Sequence, residues 1–265
     1  MLQPLLRWCL ALLALGFALT AGAQDFESTK RAAERGDAVA QHNLGVMYAK
    51  GEGVTQSDAD AVQWLRKAAQ QGLAQAQSAL GEMYRTGRGV AQNDAEAVQW
   101  VRKAAQQGDA DAQYNLAVMV DAGRGVAPND AEAVQWFRKA AQQGHVLAQF
   151  NLGSRYENGQ GVAQNHAEAV QWYRKAAEQG YAPAQFNLGA MYFTGQGVAE
   201  NHAEAMKWYR KAAQQGDAQA QYIVGLMYSV GMGVPKNKAE AAQWWRKAAQ
   251  QGYEEARAAL KAMGK

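Results

Sequence analysis

The chain has 265 residues, is 48% hydrophobic and 19% charged, and carries a formal net charge of +3. That is the composition of a folded protein and excludes wholesale disorder, while a charge so near neutrality leaves no electrostatic footprint for nucleic acid or anionic lipid. The single cysteine, Cys9, lies in a leader segment, so no disulfide, thiolate metal site or cysteine nucleophile is expected after it.

Met1 to Arg7 hold one positive charge, Trp8 to Thr20 are thirteen almost wholly apolar residues, and Ala21-Gly22-Ala23 has the small-x-small pattern that signal peptidase accepts. The apolar run is shorter than the roughly 20 residues that span a bilayer. Residues 1–23 therefore read as a signal peptide cleaved before Gln24, and the chain as periplasmic or secreted. Without Arg7 the remainder carries +2. No later segment of the sequence could form a membrane span.

From there the sequence repeats. A "KAAQQG" or "KAAEQG" string closes at Gly72, Gly108, Gly144, Gly180, Gly216 and Gly252, after "RAAERG" at Gly36, and every interval is 36 residues. Tryptophan recurs in the same phase at Trp64, Trp100, Trp136, Trp172, Trp208 and Trp244. Such a period marks a solenoid, in which each unit buries its apolar face only by stacking on its neighbours. The units run 36–71, 72–107, 108–143, 144–179, 180–215 and 216–251, between a half-repeat cap at 24–35 and a capping helix at 252–265.

The fourth unit serves for all. Ala148, Leu152 and Tyr156 share one face of a first helix, A, which Gly159 and Gly161 end, the second glycine extending the break. Asn165, with Glu168 three residues on, caps a second helix, B, as a side-chain cap with its partner carboxylate; Asn93, Asn129, Asn201 and Asn237, and Ser57 with Asp60, occupy the same slot. Helix B places Ala169, Val170, Trp172, Tyr173, Ala176 and Ala177 on one stripe, and Arg174 and Lys175 at a solvated C-terminal end where cations complement the helix dipole. The fold class is all-α. Loss of such a tryptophan, Trp172 for instance, should weaken its own repeat and the following one, 144–179 and 180–215, first.

"AQYNLAVMVDAGRGVAPNDAEAVQWFRKAAQQG" and its sisters resemble the Sel-one-like repeat family, relatives of the tetratricopeptide repeats, through A-x-x-L-G-x-x-Y, G-x-G-V and A-x-x-W-[YF]-x-K-A-A-x-x-G, across about nine tenths of the chain. Departures are local: Ala117 and Val120 replace the Gly and Tyr of unit three, and Val224 the Leu of unit six. The resemblance implies a right-handed superhelix of helix pairs that acts as an adaptor for a protein or peptide, in secreted bacterial members in envelope assembly or host-cell contact. It also raises a cell-wall reading, binding of peptidoglycan or β-lactam, since cysteine-rich members are associated with β-lactams. Against that, the chain after the leader has no cysteine, and none of Ser28, Ser57, Ser78, Ser154 and Ser229 opens a Ser-x-x-Lys.

Other chemistry is not written in these residues. Each G-x-G, such as Gly195 and Gly197, lacks a third glycine and follows a helix, so it is a turn and no nucleotide cradle. His166 and His202 lie one repeat apart without zinc spacing. No catalytic residue, metal or cofactor is expected, and the protein reads as non-enzymatic.

In the related folds helix A lines the inner surface. At about 100° per residue the arc away from Ala148, Leu152 and Tyr156 holds Leu147, Asn151, Ser154 and Asn158. Asn43, Asn115, Asn151 and Asn187 repeat as a column of amides able to donate to and accept from a peptide backbone, flanked by Tyr114, Phe150, Phe186 and Tyr222. These eight are the candidate partner-binding residues. The other reading of the same positions is structural: aromatics packed between helices and amides bonded to adjacent turns.

Overall fold

The structure, a computed structural model, describes residues 25–263; the leader and its cleavage site lie outside them. The described residues form fourteen α-helices and no strand, in two compact units, the first ending at Asn129 and the second beginning at Asp130. The first unit holds α1 (25–34), α2 (Ala38–Lys50), α3 (Asp58–Gln70), α4 (Ala74–Thr86), α5 (Asp94–Gln106) and α6 (Ala110–Asp121). The second holds α7 (Asp130–Gln142), α8 (Val146–Asn158), α9 (His166–Glu178), α10 (Ala182–Thr194), α11 (His202–Gln214), α12 (Ala218–Val230), α13 (Lys238–Gln250) and α14 (Glu254–Met263). Even numbers are helices A and odd numbers helices B. Within each unit a helix packs on those before and after it in sequence, as a solenoid requires.

The caps form where the sequence places them, with one difference. Side chains of Ser57, Asn93, Asn165, Asn201 and Asn237 accept from the backbone N–H three residues on, at 3.0–3.2 Å. The reciprocal half of the expected capping box is absent at these five sites, because the backbone N–H of the cap residue is already committed to a helix A carbonyl: Asn165 donates to Tyr156 and Asn201 to Tyr192. That bond clamps the start of helix B to the last turn of its own helix A. Helices A have caps the repeat pattern did not single out, Asp37, Asp109, Asp217 and the Nδ1 of His145.

From the second repeat on, the second glycine of the G-x-G does more than extend a break. A Cβ on Gly161 would run into the carbonyl of Asp130 at the start of α7, and one on Gly197 into that of His166. The A–B loop of one repeat thus lies directly on the N-terminus of the preceding helix B, an approach only glycine permits.

The helix B stripe is buried as expected, Trp172 at 8% exposure and Tyr173 at 0%. The tryptophans reach the other way from the direction expected. Trp208 of α11 closes a core cluster with Val170 and Tyr173 of α9 and Leu188 and Met191 of α10, and Trp244 does the same with α11 and α12. Each therefore couples its repeat to the preceding one, because helix B leans its indole over the helix A that separates it from the helix B before. Nor is the Arg-Lys pair merely solvated. Lys175 stands over the Trp172 ring at 3.9 Å from its centroid, and the Arg174 guanidinium donates to the Tyr192 hydroxyl of the next repeat at 2.6 Å. Arg66 with Tyr84 and Arg138 with Tyr156 repeat that bond.

A glutamine ladder joins the repeats. Gln185, 4% exposed, donates from Nε2 to the Ala177 carbonyl at the end of α9, 3.1 Å, and its Oε1 accepts from Gln215 at 2.8 Å. Gln215 also donates to the carbonyl of Gly180. The same three bonds occur at Gln41 with Gln71, Gln77 with Gln107, and Gln149 with Gln179. The amide adds a second donor to a helix-end carbonyl that also accepts from the backbone N–H of Gly180. Gln185→Leu keeps the volume and removes one bond each from that carbonyl and the Gln215 amide, which retain the Gly180 N–H and the Gly180 carbonyl, so chemical denaturation should register a loss of about 1–2 kcal/mol for the two bonds. Exposed Gln214→Leu should leave the midpoint within about 0.5 kcal/mol; equal effects would mean that the ladder contributes nothing.

Candidate functional site

Helix B spends its apolar face on packing, so the surface left for a partner is that of helix A. In the first unit α4 and α6 enclose a slot of about 680 Å³. Gln75, Ala79, Glu82 and Arg85 line it from α4, Tyr114, Asn115, Val118 and Met119 from α6, with Asp109, Asp111 and Arg124 at its ends. Two of the predicted residues, Tyr114 and Asn115, thus face one cavity. Glu82 and Arg85 form a two-pronged ion pair inside it, at 2.6 and 2.7 Å, which raises the arginine pKa above its ordinary value through that hydrogen bond.

In the second unit a slot of about 300 Å³ is lined by Phe193, Tyr209, Ile223, Leu226, Met227, Val230 and Met232. It occupies the same register three repeats, 108 residues, further on: Arg85 corresponds to Phe193, Val101 to Tyr209, Asn115 to Ile223, Val118 to Leu226 and Arg124 to Met232. One is polar and charged, the other apolar. Burial pushes the Tyr209 hydroxyl up to about 12, so it stays protonated at neutral pH. Leu226 and Val230 are 41% and 55% exposed, large apolar side chains facing water at the rim.

The remaining predicted residues divide. Asn43 is exposed on α2 beside His42, its Oδ1 3.3 Å from the imidazole Nδ1. Asn151 is half-buried on α8. Asn187 reaches the Tyr173 hydroxyl, which donates to Glu157 at 2.5 Å; burial first, and then that carboxylate, hold this tyrosine well above its ordinary pKa. The flanking aromatics of this unit are half-buried in packing. Phe150 lies 5.6 Å from Tyr173 and 5.2 Å from Tyr181, Phe186 5.4 Å from Tyr209, and Tyr222 5.3 Å from Tyr253, all between ring centroids. The apolar slot at Ile223, Leu226 and Val230 was open to sequence reasoning, since at these three positions of the outward arc the helices A of the other five repeats each carry at least one polar or charged residue.

Among the described residues no group of three or more His, Cys, Asp or Glu side chains gathers as a metal site, and no helix is long and apolar enough to cross a membrane.

Comparison with known proteins accords with this architecture. The Sel1 repeat matches residues 38–73, 74–109, 110–145, 146–181, 182–217 and 218–253. A protective antigen of uropathogenic Escherichia coli with an SLR fold is 41% identical, with a TM-score of 0.85 over 89% of this chain and 50% of that one. A Sel1 repeat protein from Oxalobacter formigenes is 37% identical, with a TM-score of 0.73 over 89% of this chain and 68% of that one. The chain thus spans half the length of the first of these relatives. A search of curated proteins found no match. Six matched repeats in unbroken succession, each a helix pair of 36 residues, leave one assignment: the chain belongs to the Sel1 repeat family.

Proposed function

We propose that this protein is a non-enzymatic scaffold that binds a protein or peptide on its helix A surface, and that it does so outside the cytoplasm. The observation that carries the reading is the pair of slots. They are cavities at the same repeat position, built by helices A, with exposed Val118, Leu226 and Val230 at their edges while the helix B stripe is consumed by packing. The apolar slot of the second unit is the kind of concave site where ligands gain most from desolvation, and the charged slot of the first unit supplies groups that fix a ligand's orientation. The signal pattern in residues 1–23 supports export, and so does likeness to a protective antigen. A role in envelope assembly or host contact belongs to the same reading.

Panning a displayed peptide library on the folded chain tests it. Enriched peptides should lose at least about tenfold in affinity to Asn115→Ala with Val118→Asp, or to Leu226→Asp with Val230→Asp. Because these side chains are exposed or at the rim, melting should shift by no more than a few degrees. Failure to enrich any sequence, or peptides that bind both variants as well as the parent, would overturn the proposal.

A further inference from the structure

Outside the helix A surface, two features of α11 meet in one cavity. Position 207 is lysine, where Gln63, Gln99, Gln135, Gln171 and Gln243 stand in the sister repeats. Arg210 should donate to Tyr228, eighteen residues on, as Arg174 does to Tyr192 and Arg138 to Tyr156. It makes no such bond, and its side chain lies exposed along a shallow cavity of about 350 Å³ lined also by Lys207 and Lys211. Ala203, Met206, Gln214 and Val234 complete the wall, and no carboxylate lines it. Glu204 pairs with Lys207 at 3.4 Å from one turn below and offsets one of the three charges, leaving a local excess of two. Lys211 is fixed over the Trp208 ring, 4.1 Å from its centroid, so one ammonium is already positioned at no further entropic cost.

We propose that Lys207, Arg210 and Lys211 form an anion site on helix B of repeat five that takes a phosphoryl group. A free guanidinium with planar donors beside two ammonium groups matches the tetrahedral oxygens of a phosphate monoester or diester. The site is independent of the helix A slots, and its ligand is either a phosphorylated solute or the headgroup of an anionic phospholipid; the chemistry at the protein is the same.

The test uses the full chain labelled for amide NMR, titrated with inorganic phosphate, and the same protein co-sedimented with phosphatidylcholine vesicles with and without phosphatidylglycerol. Displacement of the amides from Lys207 to Gln214 by phosphate alone supports the site with a solute as ligand. Sedimentation that depends on phosphatidylglycerol supports it with a headgroup. In either case Lys207→Gln with Arg210→Gln should weaken binding about twentyfold, as expected for two cations, while Lys175→Gln on α9 changes nothing. Lys207→Gln merely restores the residue of the sister repeats, so an unchanged melting curve separates lost binding from lost fold. No displacement and no sedimentation, or equal binding by the double variant, would overturn the proposal.

Discussion

Gly161→Ala is expected to destabilise the second unit by about 3 kcal/mol or more, and Gly159→Ala by only about 1 kcal/mol, although the two glycines share the same φ of +69°. The left-handed backbone alone accounts for the smaller figure. At Gly159 an added Cβ meets the Gln164 Cβ at 3.3 Å and its backbone N at 3.4 Å, a tight approach that a loop shift of a few tenths of an ångström relieves. At Gly161 it meets the backbone carbonyl of Asp130 in the first turn of α7, which cannot move without breaking the helix start. Urea denaturation of the two variants measures the difference directly. Equal losses would mean that the loop of repeat four does not rest on helix B of repeat three.

Trp208→Ala should cost on the order of 3–5 kcal/mol, the range for removing a buried tryptophan from a close-packed cluster. Trp208 is 6% exposed and touches side chains of α9 and α10 as well as carrying the ammonium of Lys211 over its ring. The cavity left behind opens between repeats four and five, so the loss falls on their mutual interface more than on either helix pair alone. A destabilisation under about 1 kcal/mol, with cooperativity unchanged, would mean that the indole lies on the surface and couples nothing.

Periodicity made most of this fold legible. Glycines every 36 residues, asparagine or serine caps and the W-[YF]-x-K-A-A stripe each specify a local conformation, and all three agree on the same helix pair, as minimally frustrated sequences do. What stayed hidden lies between repeats. Gln41 and Gln71 are thirty residues apart and look like two ordinary polar residues; that they bond depends on how one helix pair lies on the next. Arg174 and Tyr192 were hidden for the same reason, each belonging to a face assigned separately to water and to core. Of the candidate site, Tyr114 and Asn115 fall in a slot, whereas Phe150, Phe186 and Tyr222 pack against other rings. A period gives direction around a helix but not the size of the neighbouring side chain. The slot at Phe193 and Met232, against Arg85 and Arg124 three repeats earlier, is such a difference of side chains at constant backbone position.

Native-state hydrogen exchange on Trp208→Ala tests most directly whether repeats are held by their neighbours. Amide protection should fall most in α9, α10 and α11 and recover progressively through α13 and α14. An equal loss at every protected amide from residue 130 to residue 263 would contradict it, since the unit would then unfold as one indivisible domain.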